Sequence, residues 1–150
     1  MAQIDLLKSN EPCFKSKQGQ QAVKSGQAAE ALIYCILKER GYQVERQAYV
    51  GESIKGGGIR ADFLVNGIKQ FPDGLIIESK WQETPGTADE KLFGLALDIA
   101  TNYPCPTIVI VAGGGHREPI VNWLRNQVNG GTLYRVFDVE QFLTWTIRNL

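Results

Sequence analysis

The chain has 150 residues, 43% of them hydrophobic, and its 16 lysines and arginines balance 16 aspartates and glutamates. That length can bury a real core and fits one domain over residues 1–150, a net charge of zero speaks against a simple polyanion binder, and one histidine with three cysteines leaves too few soft ligands for zinc. No apolar run approaches membrane length and the polar N-terminus lacks a signal-peptide pattern; Cys13, Cys35 and Cys105, odd in number and without a Cys-x-x-Cys pair, point to reduced thiols in a cytoplasmic protein.

In chain order, Ala29, Leu32, Ile33, Ile36 and Leu37 recur at helical spacing and predict a helix over 26–40 that Gly41 stops. Residues 42–50 alternate like a strand, 51–58 form a glycine-rich hairpin tip, and 60–65 make a second strand. Asn66-Gly67 and Pro72-Asp73-Gly74 are turn signals, so a third strand over 75–82 is expected to pair antiparallel with the second. A helix over 87–101 opens on Thr87 with Glu90 three residues on, the spacing of a capping box. The run at 106–111 is too short and β-branched for a helix and reads as a buried strand. A helix over 119–127, a strand over 132–137 and a helix over 139–148 complete an α/β chain, with a core order α-β-β-β-α-β and a further α-β-α behind it.

The third strand carries the chemistry. Glu78-Ser79-Lys80 closes the apolar run Leu75-Ile76-Ile77, and burying charge there is costly unless it has a partner or a metal. Strand periodicity sends Glu78, Lys80 and Gln82 to one face and Ile77, Ser79 and Trp81 to the other. Pairing with the second strand brings Asp62 beside Glu78. Two carboxylates converging with a lysine suit a hard cation such as Mg²⁺, with Mn²⁺ as a substitute, and leave room for water and a phosphate oxygen. The chemistry this points to is hydrolysis of a phosphodiester.

These residues resemble the PD-(D/E)XK nuclease superfamily, the fold of many restriction enzymes and Holliday junction resolvases. The resemblance implies that Asp62 is the first acid, Glu78 the second and Lys80 the lysine. It also implies that Asp62, Glu78, the Ser79 backbone carbonyl and Glu30 of the first helix surround the metal, and Gln82 shares the catalytic face. Asp73 follows a proline, as the motif's name suggests, but it sits in a tight turn, and strand residues are better held than turn tips. Glu78-Ser79-Lys80-Trp81-Gln82 and the run Gly86-Thr87-Ala88-Asp89-Glu90-Lys91 further resemble the cyanobacterial homing endonucleases of this superfamily encoded in group I introns. Double-strand cleavage by one active site per chain calls for at least a dimer, and the resemblance implies a tetramer.

The partner expected is double-stranded DNA. Through Arg60 there are nine basic residues against six acidic ones, and seven against ten afterwards. Lys8, Lys15, Lys17 and Lys24 in an N-terminal DNA-contacting segment over 1–25, and Gln47, Tyr49, Ser53 and Lys55 on the hairpin, are candidate contacts. A solvated lysine face and a flexible tip are the alternative for each. Gly113-Gly114-Gly115-His116 falls short of a phosphate cradle and reads as a loop. His116 lacks a triad; Trp81, Trp123 and Trp145 are assigned to packing or interfaces. A restriction enzyme, a junction resolvase and a non-catalytic DNA-binding module of the same fold stay open as alternatives.

Overall fold

The structure, a computed structural model, describes residues 26–82, 88–128 and 131–150. Helix α1 (Gly26–Glu39) leads into a β-ribbon of β1 (Gln43–Glu52) and β2 (Gly58–Asn66), followed by β3 (Leu75–Trp81). Then come α2 (Ala88–Thr101), β4 (Thr107–Ala112), α3 (Glu118–Asn126), β5 (Leu133–Phe137) and α4 (Val139–Asn149). This is the order of elements read from the sequence. Thr87, the expected cap of α2, lies outside the described residues.

One five-stranded sheet runs in the order β1-β2-β3-β4-β5. The first three strands are antiparallel, where short turns suffice, and β3-β4-β5 are parallel, each connected by a crossover helix. Every residue of β4 is buried, because helices cover both its faces. Val109 and Val111 join Leu92, Leu95 and Ile99 of α2 and Leu124 of α3 on one side. Ile108 and Ile110 join Ile33 and Leu37 of α1 and Phe142 of α4 on the other. The result is a three-layer α/β/α arrangement.

Local chemistry sets the element ends. Asp138 caps α4 by accepting from Gln141 N at 2.7 Å, while the Gln141 side chain takes the Asp138 N–H at 2.9 Å. At the ribbon tip Gly56 and Gly57 stand at φ 86° and 85°, a left-handed turn that residues with a Cβ rarely adopt. Trp123 packs edge-on against Phe93 at 4.6 Å between ring centres, and Trp145 sits among Phe71, Tyr134, Phe137 and Phe142.

The expectation of three reduced thiols is corrected. Cys105 is free and buried, but Cys35 is disulfide-bonded. An odd count leaves one thiol over without forbidding a pair among the others.

Candidate active site

The site begins where two strands part. β2 and β3 pair as Val65↔Leu75, Leu64↔Ile76 and Phe63↔Ile77, and the ladder stops there. The next residue of each strand is Asp62 or Glu78. In place of the lost ladder, Asp62 Oδ2 accepts from the Ser79 backbone N–H at 2.8 Å. The acid is therefore held by the neighbouring strand as well as its own.

Three further residues fix this acid pair. Gln47, on β1 across from Asp62, adopts φ 51°, rare for a residue with a Cβ, and its Nε2 points at Asp62 Oδ1 from 3.4 Å. Glu30, half-buried near the start of α1, lies close enough to Asp62 to feel its charge, so the α1 acid and the β2 acid are neighbours. The Tyr103 hydroxyl, buried beyond the end of α2, donates to Glu78 Oε1 at 3.1 Å. Tyr103 carries no motif, and its role became visible only when the loop after α2 folded back onto β3.

Glu78 itself is 2% exposed. Burial pushes its carboxyl up to about 7; the Lys80 ammonium opposes this, the Asp62 charge adds to it, and the Tyr103 hydroxyl opposes it. Lys80 Nζ lies 3.5 Å from Glu78 Oε2 with its side chain 37% exposed, so the ammonium faces both the buried acid and solvent. Glu30 is shifted in the same direction as Glu78, first by burial and then by the charge of Asp62. In both carboxyls burial is the largest cause, with nearby cations, Lys80 for Glu78 and Arg46 and Lys80 for Glu30, pulling the other way.

Among the described residues no group of three or more His, Cys, Asp or Glu side chains is arranged to hold a metal ion. The expected ligands, Asp62, Glu78, Glu30 and the Ser79 carbonyl, are all oxygen donors, the chemistry a hard cation prefers. Water and a phosphate oxygen complete such sets for Mg²⁺.

A glycine loop secures the lysine's strand. Gln82 N donates to Ala112 O at 3.1 Å and Gln82 O accepts from Gly115 N at 2.8 Å. His116 Nε2 pairs with the Lys80 carbonyl at 3.1 Å. Gly113, at φ 81°, lies so close that a Cβ would overlap the Gln82 carbonyl. The amide of Gly115 is thus occupied by the Gln82 carbonyl just past β3, which excludes it from cradling a phosphate. Gln82 is buried at the end of the polar row, and Trp81 turns to the other face against Gly26 of α1.

The hairpin candidates divide. Ser53 Oγ donates to Asp98 Oδ2 at 3.0 Å and the Ile54 N–H to Asp98 Oδ1 at 2.9 Å, docking the tip on α2. Lys55 lies along the same helix, its Nζ 3.2 Å from where a Cβ on Gly94 would stand. Tyr49 remains 53% exposed and donates to Glu52 at 2.6 Å. Gln47 belongs to the acid cluster. Lys8, Lys15, Lys17 and Lys24 lie outside the described residues, as do Gly86 and Thr87 of the Gly86–Lys91 run.

No helix among the described residues is long and apolar enough to cross a membrane. A family model described as PD-(D/E)XK nuclease superfamily domain matches residues 21–150. No curated protein and no solved structure matches the chain. With the α-β-β-β-α-β order, the mixed sheet and the family match in agreement, the chain belongs to the PD-(D/E)XK nuclease superfamily.

Proposed function

We propose that this protein is a Mg²⁺-dependent, sequence-specific endonuclease that cuts both strands of DNA, of the intron-encoded homing type. The 150 residues act as one domain, with residues 1–25 contacting DNA and at least two copies assembling per double-strand cut. The cytoplasm, where such DNA and Mg²⁺ are available, is its place of action. The observation that supports this reading most is the meeting of Asp62, Glu78 and Lys80 where β2 and β3 part, with the Asp62 carboxylate tied to the Ser79 amide at 2.8 Å.

The residues divide the work as follows. Asp62, Glu78, Glu30 and the Ser79 carbonyl would hold the cation, which would polarise the phosphoryl group and steady the leaving oxygen. Lys80, anchored beside Glu78 but open to solvent, orients the attacking water and offsets the charge that develops on the phosphoryl oxygens. Water adds to phosphorus and gives up a proton, the P–O3′ or P–O5′ bond breaks, and the departing oxygen takes up a proton, so that none is gained or lost overall. Gln47 and Tyr103 keep the two acids in place.

The test incubates wild type and Lys80→Ala with a library of linear duplexes and four-way junctions, with Mg²⁺ or chelator, and sequences the cut ends. Metal-dependent and Lys80-dependent cuts at one long site support the homing reading. Short, frequent sites make it a restriction enzyme, cuts confined to junctions a resolvase, and binding without any cut a DNA-binding module.

A further inference from the structure

Two arginines that carry no motif flank the acid cluster. Arg60 lies two residues before Asp62 and so shares its face of β2. Arg46 stands opposite Phe63, the residue after Asp62, on the α1 side of the sheet. Three residues of strand, roughly 10 Å, separate the two levels.

Both guanidiniums are exposed and both are held by rings. Arg46 lies 5.0 Å from the centre of Tyr34 and 5.9 Å from that of Phe63. Arg60 lies 5.8 Å from the centre of Tyr49. A ring fixes a guanidinium's plane while leaving its N–H edge outward, the geometry that grips a phosphate with two parallel hydrogen bonds. Among the described residues neither makes an ion pair within 4.0 Å. The charge of Arg46 is still felt at Glu30, whose carboxyl it pulls downward.

Ring stacking alone does not distinguish them. Arg135 on β5 is 4.4 Å from the Tyr134 ring, but its Nη1 donates to the Tyr134 carbonyl at 2.8 Å, and it lies three strands from Asp62. Lys55 and Ser53, the basic and polar residues of the hairpin tip, are turned onto α2. Besides Lys80, which is anchored to Glu78, the cations presented on this part of the sheet are Arg46 and Arg60.

We propose that Arg46 and Arg60 form a two-armed phosphate clamp that seats the polynucleotide backbone across the parting of β2 and β3, one arm on either side of Asp62. The inference rests on the nuclease reading and adds its substrate-seating residues. Binding of the full-length protein to a linear duplex of mixed sequence is measured in chelator over a salt series, and cutting with Mg²⁺ is scored in parallel. Arg46→Gln and Arg60→Gln are each expected to weaken binding about tenfold and to reduce the salt slope by about one, with the double variant losing about two. Arg→Lys at either position keeps the slope, and Arg135→Gln leaves both slope and affinity unchanged. Arg46→Met, which keeps the aliphatic stem on Tyr34, stands in should Arg46→Gln not fold. A wild type that binds and cuts, with slopes unchanged in the Arg46 and Arg60 variants or lowered equally by Arg135→Gln, overturns the clamp alone. A wild type that neither binds nor cuts overturns the nuclease reading and the clamp with it.

Discussion

Asp62 and Ser79 are joined across the gap between two diverging strands, the carboxylate of one accepting the amide of the other at 2.8 Å. The bond turns an interruption in the sheet into a holder for a charged side chain. It also explains why Asp62, and not the turn residue Asp73, is the acid that meets Glu78.

Removing either member of the constellation should therefore abolish chemistry before it harms binding. Asp62→Ala and Lys80→Ala are each expected to lower kcat by roughly 10²- to 10⁴-fold, with duplex affinity in chelator close to wild type. Single-turnover cleavage together with a binding titration checks this. Full activity in Asp62→Ala would sink the site assignment.

Burial of Glu78 makes the metal-free fold sensitive to pH. Its carboxyl titrates near 7 when folded against an ordinary value of 4.5. The folded state thus binds the proton more tightly, and the group's contribution to stability is fully present below about 4.5 and lost as pH rises through about 7. The loss is on the order of 3 kcal/mol. Glu30, shifted the same way, adds to it. Urea melts in chelator should show wild type falling below Glu78→Gln in stability above neutrality, with the gap closing in mildly acidic buffer. An unchanged gap across that range contradicts the buried-carboxyl account.

At Gly113 a side chain has nowhere to go. Gly113→Ala places a Cβ on the Gln82 carbonyl at a left-handed backbone position. A cost of about 2 kcal/mol or more is expected. Because the loop braces the strand that carries Lys80, kcat should fall more than KM rises. A denaturation curve matching wild type would show that the clasp yields freely.

The ribbon tip hangs on one carboxylate. Asp98→Ala removes the acceptor of both Ser53 Oγ and the Ile54 N–H, and also the partner of Asn102 Nδ2 at 3.2 Å. The expected loss is about 1–3 kcal/mol, with faster amide exchange at the tip than in the sheet. Exchange at residues 53–57 no faster than wild type would mean that the glycine turn holds the tip alone.

The sequence by itself determined the element order and the motif. Period 3.6 in α1, the β-branched run of β4, and the Gly and Pro turns are local signals, because backbone preference and one-sided burial act within a few residues. Glu78, Lys80 and Asp62 were legible for the same reason: charge at the end of an apolar strand is conspicuous in one dimension. What the tertiary structure decided is who meets whom across the chain. The bond from Tyr103 to Glu78, the clasp of Gly113 and His116 on β3, the left-handed Gln47 aimed at Asp62, and the turning of Ser53 and Lys55 onto α2 all join segments distant in sequence. Such contacts depend on how strands diverge and helices cross, which no local preference encodes; the bonded state of Cys35 escaped a count of cysteines as well.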